Sequence, residues 1–226
     1  MSSSFDIAYK NTLSHEGGYV SSEVAASIKD PGGETYKGIA RRYHPNWKGW
    51  GLIDIYKSKN SSWQYYNKTR YFGLKHGSFI DNPTIDQLHK DYMKVNFWDV
   101  NKLSLFKNQS LANYVYDIGY GSGPGTAAKS LQTVLGVEAD GKIGNVTIAK
   151  LNSVNQELVF NKLKEYRQSW LDRNIKGKSY KKVLDQRNNS FFFHRRAIAG
   201  VLVSLLVGYC LYTEIDKKPQ RKLKIA

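Results

Sequence analysis

Apolar side chains recur at helical spacing along most of this chain, and no stretch alternates with period two for long enough to predict a convincing sheet. Phe5, Tyr9, Leu13 and Glu16 share one face of a first helix that follows a Ser4 cap and is closed by Gly17-Gly18. Residues 20–37 are rich in turn formers, and Trp47-Lys48-Gly49-Trp50-Gly51 reads as a loop. Segments 62–75 and 84–98 read as helices, the second opening on a Thr84/Gln87 capping box. Leu111, Val115 and Ile118 predict a helix that the glycines of 119–125 stop, and Ala128, Leu131 and Leu135 mark a short one after it. Another short helix is expected from about Val146, behind the Asp140-Gly141 turn. Leu158, Leu163, Tyr166 and Trp170 then outline a longer amphipathic helix ending near Asn174. The expected fold class is mainly α.

The pattern changes beyond that helix. Residues 176–196 are polar and basic and read as a linker, and 197–212 carry no charge, with eight of the sixteen being Leu, Ile or Val. At ~1.5 Å per residue such a helix spans roughly 24 Å, short of the ~30 Å hydrocarbon core, but flanking Lys and Arg can snorkel. A transmembrane helix over 197–213 followed by a basic tail over 214–226 is the expectation, with a buried core helix as the alternative. The N-terminus lacks a basic stretch followed by an apolar run, so no signal peptide is expected.

Composition narrows the class further. The chain has 226 residues, enough for one large or two small domains, and 34 basic against 19 acidic side chains give a net charge of +15. That balance points to a polyanionic partner: nucleic acid, anionic lipid or a bacterial wall polymer. A single cysteine, Cys210, excludes an internal disulfide framework and a Cys-based zinc site. Two near-motifs are dismissed. Residues 123–130 approximate a phosphate loop but have Ala128 where the glycine is needed, and 137–141 lack the alternating ligands of a calcium loop.

The chemistry lies near the N-terminus, where Glu16-Gly17-Gly18-Tyr19 is followed by Asp30-Pro31-Gly32-Gly33-Glu34-Thr35-Tyr36-Lys37-Gly38-Ile39. One carboxyl at a helix end, then a second carboxyl and a hydroxyl on a glycine-rich turn, suit acid-assisted cleavage of a glycosidic bond. For Glu16 the structural alternative is a solvated last-turn residue, which opposes the helix dipole; for Asp30 it is a side chain bonding its own turn. Tyr19 and Tyr36 are candidate walls against which Glu16 would be buried and its pKa raised. Glu23 and Glu34 are expected in solvent. Tyr43, Trp47, Trp50, Trp63, Phe97 and Trp98 could line a glycan cleft or fill the core.

Residues 14–39 resemble glycoside hydrolase family 108, phage-type lysozymes (N-acetylmuramidases) with a Glu-Gly-Gly-Tyr signature. A second pattern covers about 111–175: Asp117-Ile118-Gly119-Tyr120-Gly121, Gly123-Pro124-Gly125, Leu131-Gln132, Leu135-Gly136 and Asp140-Gly141-Lys142-Ile143-Gly144 with Thr147. It resembles the predicted peptidoglycan-binding domain of the same family, except that Gly121 stands where that family usually has Asn.

The resemblance implies a lysozyme-like catalytic region over 1–105, a peptidoglycan-binding region over 106–175, a basic linker over 176–196 and the segments described above. It implies hydrolysis of the β-1,4 bond between N-acetylmuramic acid and N-acetylglucosamine. Glu16 would be the general acid, Asp30 and Thr35 would hold the attacking water, and His15, Tyr19, Tyr36 and Asp117 would contact substrate. Peptidoglycan strands are the expected partner, with no nucleic acid and no metal or organic cofactor. A phage or prophage lysis enzyme would act on the wall from the periplasmic side of the inner membrane. The rivals are a lytic transglycosylase using the same Glu, a non-catalytic wall-binding or membrane-disrupting protein, and a nucleic-acid-binding module suggested by charge alone.

Overall fold

The computed structural model describes residues 2–60, 62–178 and 180–194. The expected membrane helix over 197–213 and the tail after it lie outside these residues. Among the described residues no helix is long and apolar enough to cross a membrane.

The architecture is mainly helical, as the periodicity predicts. Helices α1 (Phe5–Leu13) and α6 (Pro124–Leu135) pack on α5 (Gln109–Ser122), and α8 (Gln156–Asn174) packs on α5 and α6. Every residue of α5 from 110 to 120 is buried, so α5 is the central rod around which the rest is laid. The short α7 (Asn145–Ser153) packs on α6. A single apolar core runs from Phe5 and Tyr9 through Trp98 and Tyr116 to Leu163 and Phe191, joining N-terminal and C-terminal elements.

Against this bundle sits a small three-stranded antiparallel sheet, β1 (Tyr19–Val20), β2 (Thr35–Tyr36) and β3 (Ile39–Ala40), with Val20 opposite Thr35 and Tyr36 opposite Ile39. Its β2–β3 connection is Lys37-Gly38, both with positive φ (44° and 78°), the geometry that matches the twist of a two-residue hairpin. Gly38 also faces the ring of Tyr120 on α5, which a Cβ would approach to 2.3 Å. The Lys37 carbonyl accepts from Tyr120 Oη at 2.5 Å and pairs with His89 Nε2 at 2.9 Å, while Tyr9 Oη pairs with His89 Nδ1 at 2.7 Å. His89, on α4 (Pro83–Met93), is thereby satisfied as a neutral ring that donates from Nε2 and accepts at Nδ1.

Several elements depart from the pattern reading. Residues 62–75 form a hairpin, β4 (Trp63–Tyr66) with β5 (Thr69–Phe72), and not a helix. Its aromatic and β-branched residues favour strands, and Asn67 takes a φ of 52° in the two-residue loop. The last three residues of the expected loop at 47–51 already begin α3 (Gly49–Lys59). Asn82, ahead of Pro83, caps α4 by accepting from the Thr84 and Ile85 N–H groups, so the Thr84/Gln87 capping box does not form. Ser4 occupies the N-cap of α1 without a side-chain cap bond, and α1 ends three residues before Glu16. Helix α2 (Ser22–Ser27) fills the turn-rich interval, and α5 continues through Gly119 and Gly121. The stretch expected to be a linker carries α9 (Lys181–Asn189), packed on α8.

Two outcomes are expected. Gly38→Ala adds both a left-handed backbone penalty and overlap with Tyr120, and chemical denaturation should register a loss of about 2–4 kcal/mol. His89 is held down to about 4 from 6.5, chiefly by burial. Between those values the unfolded chain binds the extra proton, so stability falls as pH drops from 6.5 toward 4, by up to ~1.4 kcal/mol per unit. His89→Gln should flatten that slope in melting curves recorded across the window.

Candidate active site

Glu16 stands on a turn that continues past α1, with its own N–H donating to the Leu13 carbonyl at 3.1 Å. The glycine after next is dictated by packing: a Cβ on Gly18 would lie 2.2 Å from the Ser78 carbonyl oxygen. The neighbouring Tyr19 bonds the same loop in both directions, N–H to Ser78 O and O from Gly77 N–H. This holds the chain leaving Glu16 flat against residues 77–78.

The Glu16 side chain is 14% exposed and accepts from Arg187 Nη1 at 2.6 Å. Arg187 comes from α9, 171 residues away. The rest of its guanidinium is fixed by Asp117 on α5: Nη2 donates to Oδ1 at 2.7 Å, and Nε reaches Oδ1 and Oδ2 at 3.0 and 3.2 Å. Asp117 has no solvent exposure and also accepts from Arg167 Nη1 on α8 at 3.0 Å and from Thr12 Oγ1 on α1 at 3.3 Å. Two carboxyl groups and two guanidiniums thus form a nearly dry cluster joining four elements, charge-balanced when Glu16 is ionised.

Burial raises the pKa of Glu16 above the ordinary carboxylate value, with Asp117 pushing the same way and Arg187 pulling against both. The tyrosines Tyr116 and Tyr120 of α5, also buried, feel the Glu16 charge and are raised mainly by desolvation. His15 beside it is exposed at its rim, its ring 6.3 Å from that of Phe191, and its pKa is lowered, first by partial desolvation of the ring and then by Arg187.

The remaining candidates are placed differently. Asp30 is exposed, and its Oδ1 accepts the Gly32 N–H at 2.8 Å, the self-bonded turn of the structural alternative. Thr35 Oγ1 donates to the Gly33 carbonyl at 3.0 Å. A Cβ on Gly32 would sit 3.1 Å from Asp30 Oδ1 and 3.7 Å from Thr35 Oγ1, so these two side chains flank the same point of backbone. Tyr19 and Tyr36 are buried, at 1% and 0% exposure, and cannot meet a substrate in this arrangement. Tyr19 Oη instead donates to Glu34 Oε1 at 2.8 Å. The same lack of exposure places Asp117 beneath the site and out of reach of a ligand.

Glu34, expected in solvent, is buried and receives Lys57 Nζ at 2.6 Å and Arg41 Nη1 at 2.8 Å. Burial works against its ionisation, but Lys57, Arg41 and Tyr19 together hold its pKa below the usual value. The Tyr19–Glu34 bond therefore ties the two sequence motifs to each other. Of the aromatics, Trp47, Trp50, Phe97 and Trp98 are core, while Tyr43 and Trp63 are exposed. Among the described residues no group of three His, Cys, Asp or Glu could hold a metal ion.

Neither arginine is evident from the sequence: Arg187 lies in the stretch that reads as a basic linker, and Arg167 in an amphipathic helix where a basic residue reads as part of the solvated face. A signal was present: Tyr180, Leu184, Asn188 and Phe191 recur at helical spacing through the supposed linker. An acid within the apolar face of α5 also required a cation from elsewhere.

The family model of glycosyl hydrolase 108 matches residues 9–123. The chain belongs to this family and is a glycoside hydrolase. Family membership supports peptidoglycan as the polymer hydrolysed. A solved structure, SagA of Brucella abortus, is similar in fold, with a TM-score of 0.58, 24% identity, and coverage of 85% of this chain and 97% of that one. Comparison with curated proteins returns no match.

Asp117→Ala would leave Arg167 and Arg187 buried without their shared anion. Urea unfolding should show a loss of about 3–5 kcal/mol.

Proposed function

We propose that the chain cleaves the β-1,4 bond between N-acetylmuramic acid and N-acetylglucosamine in peptidoglycan, with Glu16 as general acid. The observation that carries this reading is the sheltered Glu16 carboxyl, whose pKa is raised by burial while one guanidinium donates to it. A raised pKa keeps the proton on Glu16 to higher pH than an ordinary carboxyl would, available for the bridging oxygen. As the proton leaves, the new carboxylate forms against Arg187, which then stabilises negative charge where it develops. Arg187 acts through Glu16 and is a positioning residue, itself held by Asp117.

The attacking water is assigned to Asp30 and Thr35, which flank Gly32. Asp30 Oδ1 serves the turn, so its second oxygen and the Thr35 lone pairs are the groups left for that water. Attack from the face opposite the acid inverts the anomeric carbon and needs carboxyls ~6.5–9.5 Å apart. Of the substrate contacts expected, only His15 is exposed and retained in the proposal.

Purified peptidoglycan treated with wild type and Glu16→Gln, followed by product masses, tests the reading. Loss of turnover by about 10²–10⁴-fold in the variant, and hydrated reducing ends from wild type, are expected. Products ending in 1,6-anhydro sugars would replace hydrolysis with transglycosylation, and undiminished solubilisation by Glu16→Gln would remove this residue from the chemistry. The pH profile supplies a second check. Because Arg187 favours the ionised acid, Arg187→Gln should move the basic limb of kcat/KM to higher pH, whatever its effect on kcat.

A further inference from the structure

Behind the Arg187 guanidinium lies a cavity of about 420 Å³ enclosed by α5, α6, α8 and α9 and the turn before α9. We propose that it is a second binding subsite that seats one carboxylate-bearing sugar unit of the wall polymer; the inference rests on the peptidoglycan reading above. Three aromatics, Tyr166, Trp170 and Tyr180, form one wall, and Trp170 and Tyr180 remain 40% and 50% exposed. Large side chains left half-open beside a cavity suit stacking on a pyranose, whose faces are apolar while its rim is polar. The hydroxyl-bearing Ser122 and Thr126, on α5 and α6, also line the cavity and suit that polar rim.

The charge in this cavity is specific. Arg167 and Arg187 line it but are committed to Asp117. Lys129 also lines it and makes no salt bridge among the described residues. With both arginines neutralised by Asp117, Lys129 is the lining cation left to complement one carboxylate. Wall strands offer two sources of that group, the peptide stem and the lactyl ether of muramic acid once the stem is removed. Arg187 lines this cavity and also donates to Glu16, so the subsite shares one side chain with the proposed acid.

Gly121 provides a test that spares the fold. It lines the cavity on α5, and a Cβ there meets nothing within 4 Å. A side chain can therefore leave the backbone here without a clash at its Cβ, and a phenylalanine is the variant chosen to compete with the sugar for this cavity.

The experiment uses the full chain carrying Glu16→Gln, so that binding is read without degradation and stands whether or not Glu16 is the acid. Co-sedimentation or titration is carried out with stem-bearing peptidoglycan, with amidase-stripped glycan, and with a chitin oligomer that has no carboxylate. Gly121→Phe and Trp170→Ala should each weaken binding to all three by about three- to tenfold, the range of one aromatic stacking contact. Lys129→Gln should weaken binding to the two carboxylate-bearing ligands and leave the chitin oligomer unchanged; whichever of the two loses more identifies the source. Unaltered binding of all three ligands to Gly121→Phe, with melting temperature preserved, overturns the subsite. Equal loss on all three ligands with Lys129→Gln overturns the carboxylate assignment.

Discussion

One guanidinium joins the two ends of the described chain. Arg187 donates to Asp117 and Glu16 together, so the position of the Glu16 carboxyl depends on a helix 171 residues further on. The linkage is sound because Asp117 is itself over-determined: it accepts from Arg187, Arg167 and Thr12 with no water contact. A buried ion cluster of this kind adds little net stability compared with apolar packing, since desolvation consumes most of the attraction. What it supplies is geometry. Three of its four elements, α1, α5 and α8, meet through the core, and α9 is held by what it offers to them.

The same cluster accounts for a Glu16 carboxyl that is sheltered and still suited to the acid role proposed for it. Burial alone would drive the carboxyl toward permanent protonation, and an ion pair alone would keep it ionised. Here desolvation is the larger effect and Arg187 the opposing one, leaving the pKa raised while keeping the ionised form accessible. An acid that must give up a proton and take it back each turnover needs both states within reach. The net charge of the four groups is zero when Glu16 is ionised. Proton transfer to a leaving group therefore moves the cluster toward neutrality, in the direction a dry site favours.

Much of this was legible in the chain, for identifiable reasons. The helices α5, α6 and α8 announce themselves because their apolar residues recur at 3.6-residue spacing and their ends carry glycine or asparagine. Glu16 stood out because Gly-Gly-Tyr follows it, and the structure gives Gly18 a steric cause in the Ser78 carbonyl. The 62–75 hairpin was misread because a short aromatic run fits either period, and only Asn67 marks its turn. Tyr19, Tyr36 and Asp117 lie in the motifs but serve the frame and not a ligand; motif membership does not reveal which way a side chain faces. Arg187 was hidden by composition: in a chain with 34 basic residues, one arginine within a basic run carries no distinguishing mark.

The β2–β3 turn of the small sheet rests on the central helix, and that contact helps set the relation between the two motifs and Glu16. Gly38 lies on the ring of Tyr120, whose hydroxyl donates to the Lys37 carbonyl, and Tyr120 lies on the same helix as Asp117. At the other end of the sheet, Tyr19 and Glu34 are bonded, so the strand leaving Glu16 and the turn bearing Asp30 and Thr35 form one rigid unit. Rigidity at this scale matters because proton transfer and water attack must be aligned within fractions of an ångström. Two-residue strands cannot supply it alone. The buried side-chain bonds from His89, Tyr120 and Glu34 do, and they explain why so small a sheet is enclosed by so many titratable groups that have no reason to touch a substrate.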